Sequence, residues 1–585
     1  MVGLNLFEFG EFTLDLSERK LSKSGSVSPL APKAFDLLAV LVRHAGRLVT
    51  KRELLDQVWP EAFVEEGILT VHVTALRKAL GDSGRRGTCI ETVSRSGYRF
   101  IATVRPPADS IAARPGTSWS LAVLPPQGSA APASSEQDAT TSLAIADALI
   151  DRLGRIDTLV VRPTRAVRSF SNPDSDASAV GRSLRVDAVL ESRLVRTSGA
   201  VVVSLRLVRS RDGACIWKGA FEEPPGNVAA IPGAVAESLA AHLGLWGRWT
   251  SPAVEAAPTQ GTTGQHTHSA EVFELFGRGR AFLLSGSMFE VPKAVEAFRS
   301  ATALDPSYPA AHAGLALAWC AQAELRLVPP ATAYAEARSA ALRALAMDAS
   351  CADAQAALGA VLFLSEWDWL GAERSLTRAL ELNPNHTQAH LLHGRLLEAL
   401  GRLDAGLQAK LQALERDPLS PLVHVQIALS YLNQQRYDEA IAWANKALEL
   451  DPRHLLAREF LASAYWKKGD FDRHMVESLK HAKVAGAPSE ALTELQQIYA
   501  RGGRRGVVAF ALERLSAAPQ GAADIQAAVL YGEARDLDSA FSHLERAIDN
   551  RDACLVDLAV APQWESLRGD PRFARCLSRM GLCAP

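Results

Sequence analysis

Apolar positions change period along residues 68–100, and the change predicts a helix followed by a hairpin. Leu69, Val73, Leu76 and Leu80 recur at i, i+4, i+7 and i+11, so a helix here buries one stripe and leaves Val71, Thr74, Ala75 and Lys78 on another face. Gly81 can end it in the left-handed conformation. Two apolar runs follow, Cys89 to Val93 and Tyr98 to Thr103, and the Ser94-Arg95-Ser96-Gly97 stretch between them predicts a hairpin with Arg95 at its tip. Upstream, short alternating segments within residues 4–28 suggest a small antiparallel sheet. Pro32 opens a helix with Ala34, Leu37, Leu38, Leu41 and Val42 on its buried face. Thr50 and Glu53 form a capping box for the next helix, whose apolar side is Leu54, Leu55, Val58 and Trp59, and Pro60 ends it. The order is four strands, three helices and a hairpin.

The pattern changes beyond a Pro/Ala-rich linker at 105–117. Residues 118–246 alternate strand and helix signals: a buried strand at 120–124, a helix at 143–153, a strand at 158–161, paired strands at 200–208 and 214–221, and a closing helix at 235–245. Asp147, Asp151 and Asp187 could be imagined as a metal or acid cluster, but they fit better as solvated helix and strand-end residues. A Gly/Thr/Pro/Gln-rich linker occupies 247–268, and its His266 and His268, with no third ligand nearby, fit a tether. From 269 to 585 the chain repeats itself: Pro384, Pro418 and Pro452 lie 34 residues apart, which is the tetratricopeptide period. Ala379, Ala413 and Ala447 let helices approach, and each Asp/Asn-Pro stops one. The spacing of 43 between Asp305 and Asp348 suggests a longer loop around 327–330, and 570–582 reads as a capping helix. His386, His390 and His393 share a helical face, yet in a first repeat helix they fit packing or surface positions. Trp367 and Trp369 fit core.

Composition narrows the chemistry. At 585 residues several domains are expected, with 48% hydrophobic and 22% charged residues as in soluble globular proteins. The net charge of -2 gives no global attraction to polyanions, so affinity for nucleic acid must be local. It is local here: Val71 to Arg105 holds seven Lys/Arg against Asp82 and Glu91. Seven scattered cysteines without a CxxC pair suggest neither a disulfide framework nor a zinc site, and fit a reducing cytoplasm. No 18-residue apolar run suggests a membrane span.

The words LAPKAFDLLAVLV (30–42), GRLVTKRELLDQVWP (46–60), VHVTALRKALGD (71–82) and ETVSRSGYRF (91–100) resemble the OmpR/PhoB-type winged-helix domain, across nearly all of residues 4–104. The resemblance implies that the third helix enters the major groove with Val71, His72, Thr74, Ala75 and Arg77, and that the wing arginine, Arg95, reaches the minor groove. Relatives often carry arginines where this chain has Thr74 and Ala75, and their wing arginine often stands one place earlier. Val71, Thr74 and Ala75 could meet thymine methyls, while Lys51, Arg52, His72, Arg77, Lys78 and Arg99 are expected at phosphates. Arg77 and Arg99 could equally be paired within the domain, and Tyr98 a packed hairpin residue rather than a base contact. SLAVLPP (120–126), GRSLRVDAVLESRLVR (181–196) and DGACIWKGAF (212–221) resemble the TolB-like domain, a noncatalytic module.

The expected fold class is multidomain α+β: a winged helix-turn-helix at 1–104, a TolB-like α/β domain at 118–246 and an all-α tetratricopeptide solenoid at 269–585. The expected function is transcription regulation in the cytoplasm. The partners would be double-stranded DNA and a protein or peptide in the repeat groove, or else the repeats pack on the α/β unit. A dimer on DNA fits, and no membrane. P-loop, HRD, DFG, GxSxG and HExxH motifs are missing from the sequence, so no enzyme, catalytic residue, cofactor or metal is expected. A repeat scaffold whose winged helix contacts protein is the alternative.

Overall fold

A computed structural model describes residues 6–15, 19–23, 26–43, 47–59, 64, 67–82, 89–93, 96–102, 104–105, 119–128, 136–170, 176–197, 199–243, 269–516 and 523–582. Backbone contacts divide the chain into two units, Met1–Ser118 with Val235–Arg248, and Trp119–Ala234 with Trp249–Pro585.

In the first unit, the expected N-terminal sheet consists of β1 (Leu6–Phe9), β2 (Phe12–Asp15), β3 (Lys20–Lys23) and β4 (Ser26–Ser28). Then come α1 (Pro32–Arg43), β5 (Leu48–Thr50), α2 (Lys51–Val58), α3 (Gly67–Ala79), β6 (Ile90–Val93), β7 (Gly97–Phe100) and β8 (Val104–Arg105). Two sheets form, in the orders β4-β3-β2-β1-β8 and β5-β7-β6. The apolar periodicities converge on one core, in which Leu14, Leu37, Leu38, Leu41, Leu54, Leu69, Leu76, Ile90 and Phe100 are buried. β5 has no periodic signature because it is three residues long and exists through its antiparallel pairing with β7, Val49 opposite Tyr98.

The second unit begins with β9 (Trp119–Val123), β10 (Gln127–Gly128), α4 (Glu136–Gly154), β11 (Leu159–Val161), α5 (Thr164–Val167), α6 (Ala177–Ser183), β12 (Ala188–Arg196), β13 (Val201–Arg209), β14 (Cys215–Glu223) and α7 (Ile231–His242), the last divided between the units. Its sheet runs β11-β9-β12-β13-β14, with β9 parallel to β11 and β12, and the longer strands antiparallel. Helix pairs follow: α8 (Ala270–Ser285) and α9 (Val291–Leu304), α10 (Pro309–Glu324) and α11 (Pro330–Met347), α12 (Ala352–Val361) and α13 (Trp369–Leu382), α14 (Thr387–Ala399) and α15 (Leu403–Arg416), α16 (Pro421–Asn433) and α17 (Tyr437–Leu450), and α18 (Leu455–Lys468) and α19 (Phe471–Val484). The chain finishes with α20 (Ser489–Ser516), α21 (Asp524–Glu533), α22 (Leu537–Asp549) and α23 (Pro571–Arg579). Ala379, Ala413 and Ala447 are fully buried, and Asn383, Asp417 and Asp451 end their helices immediately before proline.

Three expectations need correction. The long second repeat owes little to its loop: compared with α14 and α15, the first helix gains three residues, the connection two and the second helix four. The last helix does more than cap the end: α23 packs on α22, with Arg572 meeting Asp538 at 2.7 Å, and the Trp369 indole donates to Met580 O at 2.8 Å, so the tail also reaches the middle of the solenoid, where Trp564 is buried. Asp147 is not solvated, because the repeats cover α4, and Asp151 is only partly so. Asp147 is 5% exposed and meets Arg280 at 2.6 Å, while Asp151 meets Arg155 at 2.8 Å and accepts from the Asn383 amide at 3.1 Å. Asp187 does lie at an exposed strand end, accepting from Ser120 N at 2.9 Å.

The α/β part is therefore seated on the turns that precede the first helices of the repeats. Asn385 is the tightest clamp: its amide donates to Gly154 O at 2.9 Å and Leu159 O at 2.7 Å, and its oxygen accepts from Val161 N at 3.0 Å. Arg162, 4% exposed, donates across the same seam to Glu415 O at 2.6 Å. Replacing Asn385 by alanine strands three backbone groups, and an unmade buried hydrogen bond costs about 1–3 kcal/mol. Asn385→Ala should lower the urea midpoint of the full chain and speed amide exchange at 154–161; unchanged exchange there would contradict the clamp.

Candidate nucleic-acid interface

Helix α3 carries the site because its two faces meet different surroundings. Leu69, Val73 and Leu76 sit in the core, whereas Thr70, Val71, Thr74, Ala75 and Lys78 are exposed, Val71 by 66%. The Thr74 hydroxyl donates to Thr70 O at 2.7 Å, so what it offers outward is an acceptor oxygen. Lys78 makes no ion pair among the described residues. The helix ends with Gly81 at φ +66.

The hairpin is held to α3 by two side chains, one of which, Asp82, the sequence did not single out. Asp82, 3% exposed, accepts from Cys89 N and Ile90 N, each at 3.0 Å. Arg77 donates from the helix to Ile90 O and Thr92 Oγ1, both at 2.8 Å. The hairpin is held on its other side by β5, which pairs with β7, and by the start of α2, where Lys51 N donates to Ser96 O at 3.1 Å. A Cβ at Gly97 would sit 2.1 Å from Val49 O, so this crossing requires glycine.

The remaining predicted contacts are placed as follows. Arg52 is exposed and Lys51 half-buried, both in the first turn of α2, whose N-cap Thr50 makes the full capping box with Glu53. His72 is half-buried, its ring 5.3 Å from that of Trp59. Arg99 faces Glu91 across the hairpin at 3.1 Å, so its charge is matched. Tyr98 is 6% exposed and its ring belongs to the core, so it stands as a packed hairpin residue and not as a base contact. Arg95 lies outside the described residues. The structure thus brings Val71, Thr74, Ala75 and Lys78 together on one open face, and gives Arg77 and Arg99 partners within the domain.

Elsewhere two of the three histidines on the α14 face are occupied with the helix start. His386 Nδ1 accepts from Ala389 N at 3.2 Å, and a His390 ring nitrogen meets Pro384 O at 2.9 Å, with burial pushing its pKa down to about 4.

Residues 25–100 match the family model "Transcriptional regulatory protein, C terminal". Residues 117–235 match the second domain of HilA/YgeH-like transcriptional regulators, the likeness found for the segment read as TolB-like, and 368–421 and 421–454 match tetratricopeptide repeats. The chain is 24% identical over 426 residues to transcriptional regulator HilA of Salmonella typhi, covering 70% of each chain. It is 37% identical over 98 residues to transcriptional regulatory protein KdpE of Mycobacterium tuberculosis, covering 17% of this chain and 43% of that protein. The chain reads as a DNA-binding transcriptional regulator. Among solved structures it is similar to the DNA-binding domain of Escherichia coli CadC, at 28% identity and a TM-score of 0.17, covering 18% of this chain and 99% of that one. No helix among the described residues is long and apolar enough to cross a membrane.

Removing the Asp82 carboxylate leaves two hairpin N–H groups unpaired at a cost of about 1–3 kcal/mol. Asp82→Ala should therefore raise amide exchange at Cys89 and Ile90 more than elsewhere in the N-terminal unit. Equal protection in variant and parent would show that the carboxylate does not fasten the hairpin.

Proposed function

We propose that this regulator reads duplex DNA by laying the open face of α3 in the major groove, while Arg95 on the hairpin tip approaches the minor groove. The supporting observation is Val71, an apolar side chain left 66% exposed on a helix whose opposite face is fully packed. In a groove it can meet a thymine methyl, with Ala75 beside it, and Thr74 can accept from a base amino group. Lys78 and Arg52 supply phosphate contacts that set register without reading sequence. Lys51 and His72 border the same surface. Arg77 fixes the hairpin on the helix and Arg99 pairs with Glu91 across the hairpin, each leaving only residual charge toward phosphate.

In this reading residues 1–104 form the DNA-binding domain, and 118–246 with 269–585 take the input signal, whether a ligand or a partner protein, and the chain works in the cytoplasm where its DNA is. The TolB-like likeness of the middle part rests on its sequence motifs. A second copy on a neighbouring half-site fits this arrangement, as does a protein partner on the repeat surface left uncovered by the α/β part.

Fluorescence anisotropy of the full chain on duplexes selected from random sequence tests the reading. Lys78→Ala should weaken binding to every duplex and reduce the log-log salt slope by about 1. Val71→Ala and Thr74→Ala should instead alter which duplex is preferred, each by about 1–3 kcal/mol. The absence of salt-dependent duplex binding would sink the proposal and favour a scaffold.

A further inference from the structure

Between the α/β part and the repeats lies a cavity of about 470 Å³, the size of a small-molecule site. Its length follows α10: Ala310, Ala313, Leu317, Ala321 and Glu324 all line it, which spans roughly 21 Å at 1.5 Å per residue. The walls are largely apolar, with Leu283 and Leu284 of α8, Ala356 and Ala360 of α12 and Leu391 of α14.

Charge in the lining is uneven: six carboxylates face four arginines. Most are accounted for at one end. Arg280 bridges Asp147 at 2.6 Å and Asp353 at 3.1 Å, and with His386 it holds the Asp353 carboxyl below the usual range against the opposing effect of burial. Arg155 takes Asp151, while burial pushes the Asp417 carboxyl up to about 6 against the fields of Arg165 and Arg162. Two thiols line the cavity, and burial pushes both up, Cys351 to about 12, so neither offers a nucleophile.

Glu324, at the far end, differs. Among the described residues its side chain has neither an ion pair nor a hydrogen bond, and it is an exposed residue of the lining. Surrounding protein pushes its carboxyl pKa up, and Arg395, itself bonded to Asp557 at 3.0 Å, only tempers that. An unpaired carboxylate beside an apolar wall can pair with a cation brought in by a ligand.

We propose that this cavity binds an organic cation, an apolar body bearing a protonated amine, with the Glu324 carboxylate as its counter-ion. The apolar wall along α10 takes the body of the ligand, and its position between the α/β part and the repeats lets binding tighten that seam. The proposal rests on the reading of these two parts as the input half of the regulator.

Isothermal titration of the full chain with n-octylamine, against n-octanoate and n-octanol, tests it. Saturable binding of the amine is expected, with octanoate at least tenfold weaker. Glu324→Gln, at an exposed position, should weaken the amine at least tenfold and octanol little. Leu317→Trp should fill the channel and weaken amine and alcohol alike. Octanoate binding as tightly as the amine, full amine affinity in Glu324→Gln, or no saturable binding would each overturn the proposal. Duplex affinity measured with and without saturating amine separates the two readings: a change supports the input role, while binding without any change refutes that role and leaves the site standing.

Discussion

Helix α3 must satisfy two surroundings with thirteen residues, and the surface proposed for DNA depends on how it does so. Val73 is 2% exposed and Val71, two positions away, 66%. Burial of Leu69, Val73 and Leu76 holds the helix against α1 and its neighbours, and that packing fixes the rotation that turns Val71, Thr74 and Ala75 outward. Orientation of a reading surface is thus a by-product of core packing, which is why a weakly charged helix can still be presented rigidly.

The hairpin shows how such a surface is completed. Arg77 and Asp82 look from their residue types like a phosphate contact and a solvated helix end. In place they are a donor and an acceptor that join α3 to β6 from opposite directions. A positive count along a sequence therefore overstates the charge left for a polyanion: Arg99 is matched by Glu91, and Arg77 is half-buried against the strand.

The rest of the chain has a comparable economy. The turns that end α13 and α15 serve also as the seat for the α/β part, through Asn383, Asn385 and the carbonyls of Glu415 and Arg416. One side of the solenoid is consequently engaged from within the chain, and the charged groups Asp147, Arg280 and Asp353 lie between the two parts. Ion pairs of this kind stabilise little against an apolar alternative, but losing one partner is costly, which favours a unique seating over a sliding one.

The sequence by itself determined what depends on local period and on residue type at a turn. The α3 stripe, the Thr50 capping box, the paired strands around Gly213 and the 34-residue repeat were legible because each element is specified by neighbours a few residues away. What only the tertiary structure decided involves partners distant in the chain: strand β5, which exists by pairing with β7; the burial of Tyr98; the commitment of Arg77; the ion pairs of Asp147; and the return of the tail to Trp369. Periodicity says which face of an element is apolar, but it carries no information about which surface will cover that face. Whether a polar side chain meets water, a strand or another domain is settled only when the chain has folded.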